Sequence, residues 1–127
     1  MSIGQIHDAK DDLLQIMYDG KKKVVGYTWP VDGEGTWQPE LLVTDYPPGD
    51  RWFTYRIEVT KDTVRILIDD GQGFQEKARK TGVAKKGCYF KAGAYTQSSV
   101  IKQRGTAKPD DFGEALFRSV VVEVDPV

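Results

Sequence analysis

Along most of the chain apolar and polar residues alternate with a period of two. Phe53, Tyr55, Ile57 and Val59 alternate with Trp52, Thr54, Arg56 and Glu58, and Val64, Ile66 and Ile68 follow the same rhythm around Arg65 and Asp69. That rhythm belongs to strands with one buried face. The short polar connector Lys61-Asp62 predicts that these two runs form a hairpin, and Asp70-Gly71 supplies the positive-φ position of the next tight turn. Further strands are predicted at Ile3 to His7, Leu13 to Tyr18, Lys23 to Trp29, Leu41 to Val43, Phe74 to Ala78, Cys88 to Gln97 and Ala115 to Val124. Turn-forming clusters separate the runs at Asp19-Gly20, Pro47-Pro48-Gly49-Asp50, Gly71-Gln72-Gly73 and Lys108-Pro109-Asp110. Only Asp8 to Met17 offers helical spacing, through Leu13, Leu14, Ile16 and Met17, and its Asp-Ala-Lys-Asp-Asp start reads as a loop. The expectation is an all-β fold: an antiparallel β-sandwich of the jelly-roll or lectin-like, concanavalin-like kind, built from about nine short strands.

Composition narrows the class. With 127 residues, 39% hydrophobic and 29% charged, the chain can bury one core, so residues 1–127 read as a single domain. Lys and Arg number 18 against 19 Asp and Glu, for a net charge of -1, whereas nucleic-acid-binding domains carry a strongly basic balance. No nucleic-acid partner is expected. The single Cys88 and single His7 provide neither an intrachain disulfide nor a Cys/His metal set, so no metal and no cofactor are expected. No apolar run approaches the roughly 18 residues of a membrane span. The first residues do not follow the basic-then-apolar order of a signal segment.

Two stretches carry candidate chemistry. In Tyr89-Phe90-Lys91-Ala92-Gly93-Ala94-Tyr95-Thr96-Gln97, alternation puts Tyr89, Lys91, Gly93, Tyr95 and Gln97 on one face and Phe90, Ala92, Ala94 and Thr96 on the other. Two phenols, an ammonium and an amide at every second position suit the floor of a groove for an extended polar ligand. A solvated sheet face is the plain alternative. In Gly4-Gln5-Ile6-His7 the same alternation gives Gln5 and His7 a common face, with Ile6 opposite.

Together these two stretches resemble the alginate lyases of the β-jelly-roll type, family seven of the polysaccharide lyases. Gln5-Ile6-His7 matches that family's Gln-Ile-His motif, and Tyr89 to Gln97 matches its Tyr-Phe-Lys-Ala-Gly-x-Tyr-x-Gln motif without a mismatch, in the family's order. The Trp52 to Ile68 hairpin is similar to the family's outer hairpin, and Phe117-Arg118-Ser119-Val120 to its last strand. The resemblance implies cleavage of alginate, a polyuronate, by β-elimination. It implies that Gln5 and His7 hold or neutralise the substrate carboxylate, so that charge in the enolate-like transition state is stabilised as in an oxyanion hole. Tyr95 then protonates the leaving O4, and either Tyr95 or His7 removes the C5 proton, depending on the uronate epimer. Tyr89, Lys91 and Gln97 are implied as substrate-binding residues. A phenol ionises near ~10, so base work by Tyr95 calls for a nearby cation such as Lys91. Ile6 between Gln and His tilts the expected substrate toward guluronate. Endo or exo action stays open.

One departure stands out. The family's third motif, Arg-x-Glu-x-Arg, belongs upstream of Gln-Ile-His and has no counterpart here; Arg56-Ile57-Glu58-Val59 is the nearest string, lies downstream and lacks the second Arg. The resemblance therefore implies the C-terminal half of a family domain, with uncovered strand edges and apolar residues that a second chain or a homodimer would fill. Two rival readings remain: a non-catalytic, lectin-like carbohydrate-binding module and an inactive lyase fragment. Secretion or a periplasmic location is expected for a polysaccharide lyase. The lysine clusters Lys21-Lys22-Lys23, Lys77 with Arg79 and Lys80, and Lys85-Lys86 read as solvated charges that a polyanion would also attract. Trp29 to Trp37 reads as a connecting loop or a sugar-stacking lid.

Overall fold

A computed structural model describes residues 1–7, 12–28, 40–44, 52–82, 87–95 and 114–123. Among them there is no helix, and eight strands form two antiparallel sheets. The first sheet has the order β4-β3-β2-β1-β8 and the second β5-β6-β7. The strands are β1 (Ser2–His7), β2 (Asp12–Asp19), β3 (Val24–Thr28), β4 (Glu40–Val43), β5 (Thr54–Thr60), β6 (Thr63–Asp69), β7 (Gln75–Lys80) and β8 (Tyr89–Tyr95). Each coincides within one or two residues with a predicted strand over the described residues, including β2, where the alternative helix is excluded.

Side-chain chemistry sets the turns. Asp19 Oδ1 accepts hydrogen bonds from the backbone N–H of Lys21 (3.0 Å) and Lys22 (3.1 Å), closing the β2–β3 connection. The Lys22 bond chiefly holds this carboxyl below its usual range. Asp69 plays the same part after β6, accepting from the N–H groups of Gly71 (2.9 Å) and Gly73 (3.1 Å). Both glycines have positive φ (105° and 86°), which a residue with a Cβ adopts only at a cost. The β5–β6 hairpin turns through Lys61-Asp62, with Thr60 opposite Thr63.

The sheets pack face to face. Ile6, Leu14, Ile16, Val25 and Tyr27 from the larger sheet meet Val64, Ile66, Ile68 and Ala78 from the smaller one in a single buried cluster. At about 25 cal/mol per Å² of apolar surface, this cluster is the main force holding the sheets together. Tyr55 of β5 ties them further, its hydroxyl donating to the Ile3 carbonyl of β1 at 2.9 Å.

One predicted strand does not form. Residues 114–123, the described part of Ala115 to Val124, are irregular and pair with no strand. Ala115 packs against the core, but Leu116, Val120, Val121 and Val122 are exposed. The predicted core strand at Ser119 to Val122 is therefore corrected: β-propensity makes a strand only where a ladder partner is in place. The predicted strand ends at Thr96 and Gln97 lie outside the described residues.

Candidate active site on the five-stranded sheet

The register of β1 against its two neighbours assembles the site. Gln5 lies opposite Lys91 of β8 on one side and Gln15 of β2 on the other, and Gln15 lies opposite Thr28 of β3. Directly opposed residues of antiparallel strands share a face. Lys91, Gln5, Gln15 and Thr28 thus form a polar row across four strands, on the side away from the core that Ile6, Leu14 and Ile16 enter. In the next row His7 lies opposite Tyr89, with ring centroids 5.7 Å apart and tilted by 37°. The Lys91 ammonium stands 5.6 Å from the centroid of the same Tyr89 ring. Imidazole and ammonium each lie beside the one phenol ring.

Exposure varies along this surface. Gln5 is 5% exposed and Gln15 4%, His7 and Lys91 are half-buried, and Tyr89 is open at 47%. The patch is accessible at its His7–Tyr89–Lys91 end, and the amides lie deeper. Ser2 and Thr28 are fully buried, and Ser2 Oγ and Thr28 Oγ1 have no hydrogen-bond partner among the described residues. Buried hydroxyls without partners are rare and costly. Ser2, Gln15 and Thr28 were not among the predicted site residues. The signal for Gln15 was a lone amide inside the apolar run from Leu13 to Met17. Tyr95 ends β8 at the register position opposite Ser2, three residues along β1 from Gln5 and four along β8 from Lys91. The placement of its hydroxyl, all of Gln97 and the Trp29 to Trp37 loop lie outside the described residues.

Two breaks in alternation frame the row. The Ser2 and Gly4 rows are one residue apart along β2 (Met17, Ile16), two along β1 and three along β8 (Tyr95, Ala92). One or three steps carry a strand to its opposite face; two steps do so only if alternation fails, which locates the irregularity at Ile3. Ile3 is accordingly buried in the core, and Gly4 faces it too, because a Cβ there would lie 2.7 Å from the Tyr55 hydroxyl. Ser2 and Gln5 are left on the polar side. The second break is in β2, where His7 lies opposite Asp12 while Ile6 lies opposite Leu14, and the extra Leu13 also packs against the core.

The guanidinium groups are elsewhere. Arg56, Arg65 and Arg79 occupy the three-stranded sheet, on its outer surface, in a ladder with Glu58 and Glu76. Arg118 lies over the Trp52 ring at 4.6 Å. Arg56 and Glu58 therefore do not lie on the surface that carries Gln5 and His7. Among the described residues, no group of three or more His, Cys, Asp or Glu side chains is placed to hold a metal ion.

Fold and site together define an antiparallel β-sandwich with a polar, partly aromatic surface on one sheet. A family model described as alginate lyase matches residues 1–124, and the chain belongs to the alginate lyase family. No curated protein and no solved structure gives a significant match.

Proposed function

We propose that the chain acts on alginate by β-elimination, as a member of family seven of the polysaccharide lyases whose residues here correspond to the C-terminal half of the domain. The observation that carries the reading is the β1–β8 register, which puts Gln5 beside Lys91 and His7 beside Tyr89 on one outward surface. An amide, an imidazole and an ammonium suit a uronate carboxylate. Donors directed there lower the cost of charge as the C5 proton leaves. His7 or Tyr95 takes that proton and Tyr95 returns one to O4, so the C4–O4 bond breaks as the C4–C5 double bond forms. Tyr89 and Lys91 bind the sugar chain, with Gln97 beyond them.

The partner is an acidic polysaccharide, and the site of action is outside the cytoplasm, secreted or periplasmic. The test is incubation with guluronate-rich and mannuronate-rich alginate while following ultraviolet absorbance of the unsaturated product. A rising trace is expected, steeper on guluronate-rich polymer. A flat trace on every block type overturns the reading.

The second reading, a non-catalytic binding module, is favoured by one observation: the described part of the polar surface carries no arginine. Retardation in an alginate-containing gel without any absorbance change would establish it. A second copy or another chain would supply the guanidinium and cover Phe90, which is 45% exposed on the edge strand β8 although its register partner Ile6 is buried. Sedimentation at micromolar concentration distinguishes that association from a monomer.

A further inference from the structure

We propose that Tyr55, on the three-stranded sheet, is a positioning residue that locks the break in β1 and so sets the register between the Gln5–His7 strand and the Tyr95 end of β8. The inference rests on the lyase reading for its catalytic consequence, but not for its structural one.

The break falls between the two rows that the reaction needs. Below it Gln5 meets Lys91 and His7 meets Tyr89; above it Ser2 meets Tyr95. With regular alternation from Gly4 onward, Ile3 would meet Gly93 and Ser2 would meet Ala94. Tyr95 would keep the face of Lys91 but lie opposite Met1, one residue further along β1 from Gln5, and Ser2 would turn to the core side. The two registers differ by one residue in the pairing of Tyr95 and in the face of Ser2, so something must hold the irregular register against the regular one.

Tyr55 touches the break at both of its residues. Its hydroxyl donates to the carbonyl of Ile3 at 2.9 Å. Its ring occupies the space over Gly4, where a Cβ would lie 2.7 Å from Oη and 2.8 Å from Cζ. Where a strand departs from its ladder the local hydrogen bonding is disrupted, and a phenol from the facing sheet donates to the carbonyl at that point. Gly4 is the residue that lets the ring approach. Tyr55 itself is fixed in the β5–β6 hairpin, whose seven consecutive pairs run without a shift from Thr54↔Asp69 to Thr60↔Thr63. A regular sheet thus braces an irregular strand from behind, and Tyr55 acts on the site without touching substrate.

The test compares Tyr55→Phe with Ile66→Val, a core change in β6 that trims packing but removes no hydrogen bond. Two properties are read: the cross-strand nuclear Overhauser contact between Ser2 and Tyr95, with Gln5–Lys91 as internal reference, and kcat and KM on alginate. Expected for Tyr55→Phe are cooperative unfolding, a weakened Ser2–Tyr95 contact beside an intact Gln5–Lys91 contact, and a kcat lowered about tenfold with KM within about twofold, since small misplacements act on the chemical step. Ile66→Val should leave both properties unchanged. An unchanged Ser2–Tyr95 contact in Tyr55→Phe, a lost contact with unchanged kcat, or the same losses in Ile66→Val overturns the inference. Should Tyr55→Phe fail to fold, Gly4→Ala, which presses on the same hydroxyl from the other side, must weaken the Ser2–Tyr95 contact, and retention overturns the inference. If the unaltered protein leaves alginate intact, the lyase reading has failed, and the contact measurement alone decides whether Tyr55 sets the register.

Discussion

The two outward faces of the sandwich use polar residues in opposite ways. On the three-stranded sheet Arg56 and Arg65 both contact Glu58, at 3.0 Å each, and Arg65 and Arg79 contact Glu76 at 3.4 and 2.8 Å. Alternating signs across three strands neutralise one another and leave little for a charged ligand. On the five-stranded sheet the row is Lys91, Gln5, Gln15 and Thr28, with His7 and Tyr89 beside it and buried hydroxyls at Ser2 and Thr28. Its described side chains are mostly neutral hydrogen-bonding groups, with the Lys91 ammonium beside the Tyr89 ring. A face that satisfies itself is a surface, whereas one that is rich in donors fits an acidic ligand.

The sharpest way to break this contrast is to remove chemistry from one face and charge from the other. Tyr95→Phe should lower alginate turnover by about 10²–10³-fold with a much smaller change in KM, since a positioned proton donor acts in the transition state. Arg65→Ala on the other face should leave turnover unchanged. Initial rates of ultraviolet absorbance decide both, and equal losses in the two variants would dissolve the distinction between the faces.

Next in size is the contact between the sheets. Gly4→Ala should destabilise the domain by about 1–3 kcal/mol, the range for overpacking a filled site, because both Oη and Cζ of Tyr55 stand within 2.8 Å of the new Cβ. Urea unfolding gives the value, and a loss under half of the lower bound would mean that the tyrosine ring yields freely.

A comparable effect is expected from alkaline pH. Burial pushes the Tyr55 hydroxyl up to about 12, while in the unfolded chain a phenol ionises near ~10. Between these values the unfolded chain has lost a proton that the folded one keeps, so the stabilisation present below pH ~10 is lost as pH rises toward ~12. The loss should be on the order of 2 kcal/mol, allowing for the part of the ring that water screens. Tyr55→Phe should remove this portion of the slope in a pH series of thermal melts; an unaltered slope would assign it to other groups.

The smallest effect belongs to the charge ladder. Glu58→Gln leaves Arg56 and Arg65 without their shared carboxylate, yet all three side chains are partly exposed. A loss of about 0.5–1 kcal/mol is expected, diminishing with added salt. A larger loss that salt leaves unchanged would show that the ladder holds the sheet together.

Period-two alternation determined the strands because a sheet with one dry face needs apolar residues at every second position; β5 and β6 follow it apart from the buried Leu67, whereas β8 alternates in sequence but leaves Phe90, Ala92 and Ala94 exposed. The same periodicity placed Gln5 with His7 and Tyr89 with Lys91, since within one strand the face follows from parity alone. It misled at Ser119 to Val122, where three consecutive valines have strand propensity but no neighbour to pair with. It was silent on Gln15 and Thr28, whose membership of the site depends on register between strands. The breaks at Ile3 and Leu13 were equally hidden: in both cases two adjacent residues turn to the core, and no local pattern distinguishes Ile3-Gly4 or Leu13-Leu14 from ordinary strand. Only the facing sheet decides them, because the space that Gly4 leaves and the carbonyl that Ile3 presents acquire meaning when Tyr55, fifty-two residues away in sequence from Ile3, arrives to fill the one and bond the other.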